Sequence, residues 1–598
     1  EEEHRDPQAG RTIAPYKTHE MTADQARAWS EIEKALDGQK SAVFLLHGVT
    51  GSGKTEIYLR ALAKVLAEGK QGLVLVPEIA LTPQTVQRFA SRFPGRVTLL
   101  HSGLSAGERF DQWRKIRAGE ADIIVGSRLA LFAPLPRLGL IVMDEEHEPA
   151  YKQERSPRYH AREVAIELGR LTSSLVILGS ATPAMESYYR ACQGEFHLLQ
   201  LPRRILGSGS GRSGATDGQA RSLPPVQVVD MRQELRAGNS HIFSRALQGA
   251  LREVLSAGEQ AILFLNRRGA ATFVLCRDCG YVVSCPRCDV PLTYHEPEGE
   301  NLSSPPSVPS SRAGLSLPES QRGEEKGVGN ALPLLSPHPT LSPSGRGDGK
   351  VQLCWREDRR APALLCHHCG RRYPVPPVCP RCGGHRIRYF GAGTQRVEAA
   401  VRELFPQART LRWDRDVTGP RGMHEAILER FIRREADVLI GTQMLAKGLD
   451  LPLVTLVGVV AADTALYLPD FWASERTFQL LTQVAGRAGR TPRGGRAIVQ
   501  TYNPDAYAIR AAARHDYATF YAREETFRRE QGYPPFRRLA KLIFVGTNEA
   551  TCRHEAARLA QDLREHLHRA GEPLSALIGP APCFFRRVRG KYRWQIVV

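Results

Sequence analysis

Nowhere in the 598 residues is there a run of eighteen apolar residues, so no segment reads as a membrane-spanning helix. The first residues, Glu1-Glu2-Glu3-His4-Arg5-Asp6, lack the apolar stretch of a secretory leader. An acidic excess is missing too. Asp and Glu total 63 against 82 Lys and Arg, a net charge of +19. That balance favours a polyanionic partner, most simply nucleic acid, the alternative being a basic surface that serves solubility. Isolated cysteines are few: of 12, eight fall in four Cys-x-x-Cys pairs, and Cys192, Cys354, Cys552 and Cys583 read as bystanders. Paired in this way, in a chain that reads as cytosolic, they point to metal rather than to disulfides.

The stretch with most chemistry is Gly48-Val49-Thr50-Gly51-Ser52-Gly53-Lys54-Thr55. It follows the apolar run 42–46, which reads as a buried strand, and precedes a helical pattern over 56–66. Strand, glycine-rich loop, Lys-Thr and helix form a phosphate-binding loop in its required context. Its backbone N–H groups turn toward one anion at a helix N-terminus. Lys54 then reaches the β- and γ-phosphates of a nucleoside triphosphate, and Thr55 holds Mg²⁺. Ahead of the loop, 22–36 reads as a helix capped by Thr22. Gln25 in its first turn is placed to pair with both polar edges of adenine, or is an exposed helical glutamine.

Strands and helices then alternate. Strands are expected at 72–76, 97–101, 123–125, 140–143 and 176–178. Apolar runs of this kind imply a mostly parallel sheet covered on both faces, with ligands at the carboxyl ends of its strands. Asp144-Glu145-Glu146-His147 stands at one such end. Asp144 is assigned to the metal and Glu145 to activation of the attacking water. The basic and aromatic stretch Tyr151–His160 suits stacked bases and held phosphates, or is a solvated loop. Gly179-Ser180-Ala181-Thr182-Pro183 closes the last strand, its hydroxyls placed to link the nucleotide site to a second ligand.

After a Gly/Ser-rich linker at 206–222 a second α/β half begins, with strands expected at 261–265, 438–440 and 453–460. Within Gln483-Val484-Ala485-Gly486-Arg487-Ala488-Gly489-Arg490, the two arginines are expected on one helix face. Across a cleft they can neutralise charge on a transferring γ-phosphate, and Gly486, Ala488 and Gly489 permit close approach to a facing surface. Cys276, Cys279, Cys285, Cys288, Cys366, Cys369, Cys379 and Cys382 interrupt this half. Eight thiolates suit two tetrahedral Zn²⁺ ions, with iron–sulfur as the rival. Only five residues part Cys279 from Cys285, a short reach for one site. A crossed pairing is therefore expected: Cys276, Cys279, Cys379 and Cys382 in one site, Cys285, Cys288, Cys366 and Cys369 in the other. Residues 296–350, rich in Pro, Ser and Gly, read as a disordered insertion. The last part, 503–598, reads as a small α+β domain, basic on one side and ending in mid-strand.

Together these residues resemble superfamily 2 helicases, and among them the replication-restart helicases. The resemblance is carried by G-V-T-G-S-G-K-T, D-E-E-H, G-S-A-T-P, F-L-N-R-R-G, the four Cys pairs, G-T-Q-M-L-A-K-G and Q-V-A-G-R-A-G-R. It covers nearly the whole chain outside 1–19 and the insertion.

The resemblance implies an α/β fold of two RecA-like lobes, 20–205 and 223–502, with a zinc module at 276–390 inserted in the second and a C-terminal domain after it. It implies an ATP-dependent 3′ to 5′ DNA helicase that uses ATP, Mg²⁺ and two Zn²⁺. Its expected partners are single-stranded and forked DNA, single-stranded DNA-binding protein, and primosome and helicase-loader proteins, in the cytoplasm. It supports the crossed zinc pairing and gives the Tyr151–His160 loop a DNA-facing role. Family members carry an N-terminal 3′-end-binding domain and a winged helix, of which residues 1–19 read as a remnant. Leu449 and Trp472 stand where the resemblance leads one to expect polar or basic residues. The competing readings are a DNA translocase that separates no strands and a zinc-dependent DNA scaffold with a vestigial ATPase.

Overall fold

The computed structural model of the chain describes residues 20–38, 41–77, 83–205, 223–265, 272–295, 363–389, 393–414, 423–446, 451, 453–489, 494–573 and 576–598. Residues 1–19, the linker 206–222, the insertion 296–350, Asn266–Gly269, Leu449 and Arg490 lie outside them.

The first lobe is a seven-stranded parallel sheet in the order Val97–Leu100, Ile123–Gly126, Gln71–Leu75, Leu138–Asp144, Leu175–Ser180, Val43–Gly48, His197–Leu201. Alternation along each strand builds two cores. Phe44, Leu46, Leu140 and Val142 pack into one layer of helices, while Leu45, Ile141 and Met143 pack into the other. Strands buried on both faces read as continuous apolar runs, which is why they are visible in the sequence. The edge strand His197–Leu201 was not, because only its last residue is buried.

The second lobe is a six-stranded parallel sheet in the order Val226–Asp230, Arg496–Thr501, Val454–Ala461, Gln260–Leu265, Val438–Gly441, Thr410–Trp413. Helices Tyr507–Ala513 and Tyr517–Gln531 belong to this lobe's core: Ile509, Tyr517 and Phe520 pack with Phe478, Val499 and the first lobe's Met185. This corrects the boundary expected at 503. The separate C-terminal unit is a three-stranded antiparallel sheet, Lys541–Gly546, Lys591–Val597 and Ile578–Val588, covered by helix Glu549–Arg569.

Between the lobe and this unit lies a five-stranded antiparallel sheet carrying the cysteines, Arg372–Pro374, Ala363–Leu365, Thr293–His295, Thr272–Cys276 and Ile387–Tyr389. It docks on the C-terminal sheet through His367, whose Nδ1 lies 2.9 Å from the carbonyl oxygen of Pro582.

Candidate nucleotide site and metal centres

The phosphate loop leaves strand Val43–Gly48 and enters helix Lys54–Ala67. Gly53 caps that helix with φ +79°, and a β-carbon there would stand 2.4 Å from Gln25 Nε2. Glycine is needed on both counts. Gln25 is 2% exposed. Its Nε2 donates to the carbonyls of Ser52 and Gly53, each at 3.3 Å, and its Oε1 accepts the Thr22 amide at 3.0 Å in a capping box. The carboxamide thus ties its own helix cap to the floor of the loop, and Gln25 is not the exposed helical glutamine that stood as the alternative. Lys54 Nζ rests on the carbonyl oxygen of Gly48 at 2.7 Å.

A strap missed in the sequence clasps the loop from outside. Val49 N–H donates to Leu201 O at 3.1 Å, and Ile205 N–H to Gly51 O at 2.9 Å. Arg203 pairs with buried Asp24 at 2.6 Å. Arg204 lies over Gly51 and donates to the carbonyl oxygen of Ala488 in the other lobe at 3.4 Å. A lone Arg-Arg pair before a glycine-rich linker carries no signal that would reveal this.

The acidic turn follows strand Leu138–Asp144. Tyr58 donates to Asp144 Oδ1 at 3.0 Å, and a β-carbon on Gly179 would stand 1.7 Å from that hydroxyl. This gives the glycine of Gly179–Pro183 its reason. Burial, then the neighbouring Glu145, push the Asp144 carboxyl up to about 6 against the pull of Lys54. Glu145 is held at φ +48°, a conformation costing a non-glycine residue roughly 1 kcal/mol or more. The turn is fixed around it by Glu146 N–H to Gly179 O at 3.1 Å and Glu148 N–H to Glu145 O at 2.9 Å.

Gln483 of the second lobe reaches this turn. Its Nε2 donates to Glu145 Oε2 at 3.4 Å and to His147 Nε2 at 2.7 Å. His147 Nε2 therefore accepts, and its Nδ1 carries the proton toward Ser180 Oγ, 2.7 Å away. Helix Ala473–Ala485 ends just beyond Gln483. Gly486, Arg487 and Ala488 form a turn, since glycine is a poor helix former. Arg487, buried in that turn, is not on the helix face expected of it; Arg490 lies outside the described residues. Gly486 faces the phosphate loop, its added β-carbon only 3.0 Å from that of Thr50. The close approach expected of the small residues is present.

The Tyr151–His160 loop is corrected in part. Tyr151 is 1% exposed, its hydroxyl between the carbonyl oxygens of Asp144 at 2.7 Å and Leu75 at 3.1 Å. Tyr159 packs edge-on against Phe132, and His160 caps helix Ala161–Thr172. No face of Tyr151 is open to a base; Lys152, Arg155 and Arg158 are the exposed cations of the loop. Trp472 caps the Ala473–Ala485 helix, with Arg476 over its ring at 4.9 Å.

The eight cysteines gather as the crossed pairing requires. Cys276, Cys279, Cys379 and Cys382 form one group, Cys285, Cys288, Cys366 and Cys369 the other, with sulfurs within 4.8 Å of one another in each. All four Cys-x-x-Cys pairs make the same knuckle. The first cysteine's carbonyl accepts from the amide four residues on (Gly280, Asp289, Gly370, Gly383), and its own amide donates to the carbonyl five on. Those four residues all have positive φ. Sulfur separations of 3.7, 3.7 and 3.8 Å match the edge of a ZnS₄ tetrahedron, about 3.8 Å for Zn–S bonds of about 2.3 Å. They leave no room for a multi-iron cluster between the sulfurs.

The chain matches the family models for DEAD/DEAH box helicase at residues 22–191, Helicase conserved C-terminal domain at 383–492, and Primosomal protein N C-terminal domain at 529–598. It is 44% identical to the Replication restart protein PriA of Bacillus subtilis over all of this chain and 64% of that protein. It is 37% identical to those of Chlamydia pneumoniae, over 98% of this chain and 68% of the relative, and Treponema pallidum, over 97% and 75%. With two matched lobes, a Cys-rich module inserted in the second and these identities, the chain belongs to the Replication restart protein PriA family.

Proposed function

We propose that this chain is an ATP-dependent DNA helicase that moves 3′ to 5′ and acts in replication restart. The observation that carries the reading is the contact of Gly486 with Thr50, joined by Gln483 on Glu145: one nucleotide site is shared between two lobes. Hydrolysis at such a site is coupled to lobe closure.

Gly48, Val49, Thr50, Gly51, Ser52 and Gly53 present the loop amides to the phosphates. Lys54 leaves the Gly48 carbonyl to meet the β- and γ-phosphates. Thr55 and Asp144 are the residues that would hold Mg²⁺, which when bound would neutralise phosphate charge. Glu145, aimed by Gln483 and His147, takes the proton of the attacking water. Arg487, with Arg490, meets the charge that develops on the γ-phosphate. Cys276, Cys279, Cys379 and Cys382 would hold one Zn²⁺ and Cys285, Cys288, Cys366 and Cys369 another, each tying two knuckles together beside the C-terminal sheet. The basic surface binds single-stranded and forked DNA through its phosphates. Single-stranded DNA-binding protein and primosome or helicase-loader proteins are the partners this reading assigns.

Strand displacement tests it. A duplex with a 3′ single-stranded tail on the translocated strand should open in the presence of ATP, and one with a 5′ tail should not. Turnover without displacement on either would replace the helicase by a translocase.

A further inference from the structure

Helix Met185–Cys192 starts just after Gly179–Pro183, and its entry is held from both lobes. Ala184 N–H donates to Glu146 Oε1 at 2.7 Å, and Ser187 Oγ donates to Glu146 Oε2 at 2.7 Å. Glu146 is buried in the first lobe's acidic turn. Met185 N–H instead donates to Oε1 of Glu475, at 3.0 Å, in the second lobe's Ala473–Ala485 helix.

The neighbouring residues are held the same way. Gln479, one turn further along that helix, donates to Thr182 O at 3.4 Å and to Glu475 Oε1 at 3.1 Å. Tyr517 donates to Pro183 O at 2.9 Å. Arg528, fully buried, pairs with Glu475, with Glu524 at 2.8 Å, and with the first lobe's Glu186 at 3.6 Å. Thr182, Pro183, Met185 and Glu186 are thus gripped from the second lobe, and Ala184 and Ser187 from the first.

A buried ion pair gains little net stability over an apolar pair of the same volume, but it is satisfied at one placement only. Separating the lobes takes the acceptor from Met185 N–H and leaves Arg528 short of a partner. The segment so released begins at Thr182, whose N–H donates at 3.0 Å to the hydroxyl oxygen of Ser180, the group that orients His147, which with Gln483 aims Glu145. We propose that Glu475 and Arg528 are positioning residues that transmit the placement of the second lobe to Glu145, and that through them bound DNA raises ATP turnover. This rests on the ATPase reading above.

The test is steady-state ATP turnover of the full chain, with and without single-stranded DNA, for Glu475→Ala, Glu475→Gln and the double variant Glu475→Met/Arg528→Met. Glu475→Ala should lower the DNA-stimulated kcat about tenfold or more while the KM for ATP stays within about twofold, as expected for a group that acts only on the chemical step. Glu475→Gln, which still offers an acceptor to Met185, should recover most of the stimulation. The double variant removes both charges and keeps the volume filled but leaves the buried Glu524 without its cation, so it should melt below the unsubstituted chain and, where folded, respond only weakly to DNA. If Glu475→Ala does not fold, the double variant decides by the same criterion. Full stimulation in either, or a Gln variant no better than Ala, overturns the proposal. An unsubstituted chain without any turnover would overturn the ATPase reading instead, so the two failures are distinct.

Discussion

Gly486 of the second lobe lies against Thr50 in the phosphate loop of the first, so closely that a β-carbon added at Gly486 would stand 3.0 Å from the Thr50 β-carbon. That is tighter than most β-carbon contacts, so a bulkier side chain needs Thr50 to give way or the lobes to part. Gly486→Val is expected to lower ATP turnover by about five- to 150-fold, from an overpacking penalty of about 1–3 kcal/mol placed on lobe closure. Nucleotide binding to the open first lobe, followed by a fluorescent ATP analogue, should persist. Unchanged turnover would show that the lobes need not meet there.

Lys54→Ala should abolish ATP turnover and leave binding of single-stranded DNA largely intact, since Lys54 acts on nucleotide phosphates and the basic surface on DNA. Turnover and fluorescence anisotropy, measured on one preparation, separate the two. Undiminished turnover would remove the phosphate loop from the active site.

Glu145→Gln should still bind ATP but hydrolyse it roughly a hundredfold more slowly, the loss expected for a missing general base. Single-turnover hydrolysis reads this directly. Gln483→Ala should produce a smaller fall of the same kind, because Gln483 only aims the carboxylate. A normal rate in Glu145→Gln places the base elsewhere.

Two zinc ions per chain are expected from the two groups of four sulfurs. Deleting residues 300–349, a tract without cysteine, should leave that number unchanged. Cys379→Ser should remove one ion, and Cys366→Ser the other. Loss of the ion at Cys366 should also loosen the C-terminal sheet, which His367 anchors, and expose it to protease. Metal analysis finding iron, or a single ion in the deletion, contradicts the assignment.

The parts legible in the sequence are those where one residue type answers one physical need. Doubly buried strands show as apolar runs, and the phosphate loop and the cysteine pairs carry their spacing with them. The knuckles could have been read more fully, because the residue after each pair is Gly280, Asp289, Gly370 or Gly383, types that tolerate positive φ. What escaped was set by tertiary contact. Glu146 looks like a third member of an acidic cluster, and only the fold shows it holding Ala184 and Ser187. Tyr151 sits in a basic, aromatic stretch yet is drawn inward by two carbonyl oxygens. Gln25 is buried by its hold on the floor of the loop, which its place in a helix does not announce. Arg487 has helical spacing in the sequence, yet the helix ends at Ala485, before Gly486.

The most direct measurement is ATP turnover by the full chain without nucleic acid, with single-stranded DNA, and with RNA of the same length. Turnover should rise severalfold with DNA and little with RNA, and the DNA response should fade as salt rises, because phosphate contacts release counterions. Turnover equal under all three conditions, or absent in all three, contradicts a DNA-driven motor built on the closure of Gly486 onto Thr50.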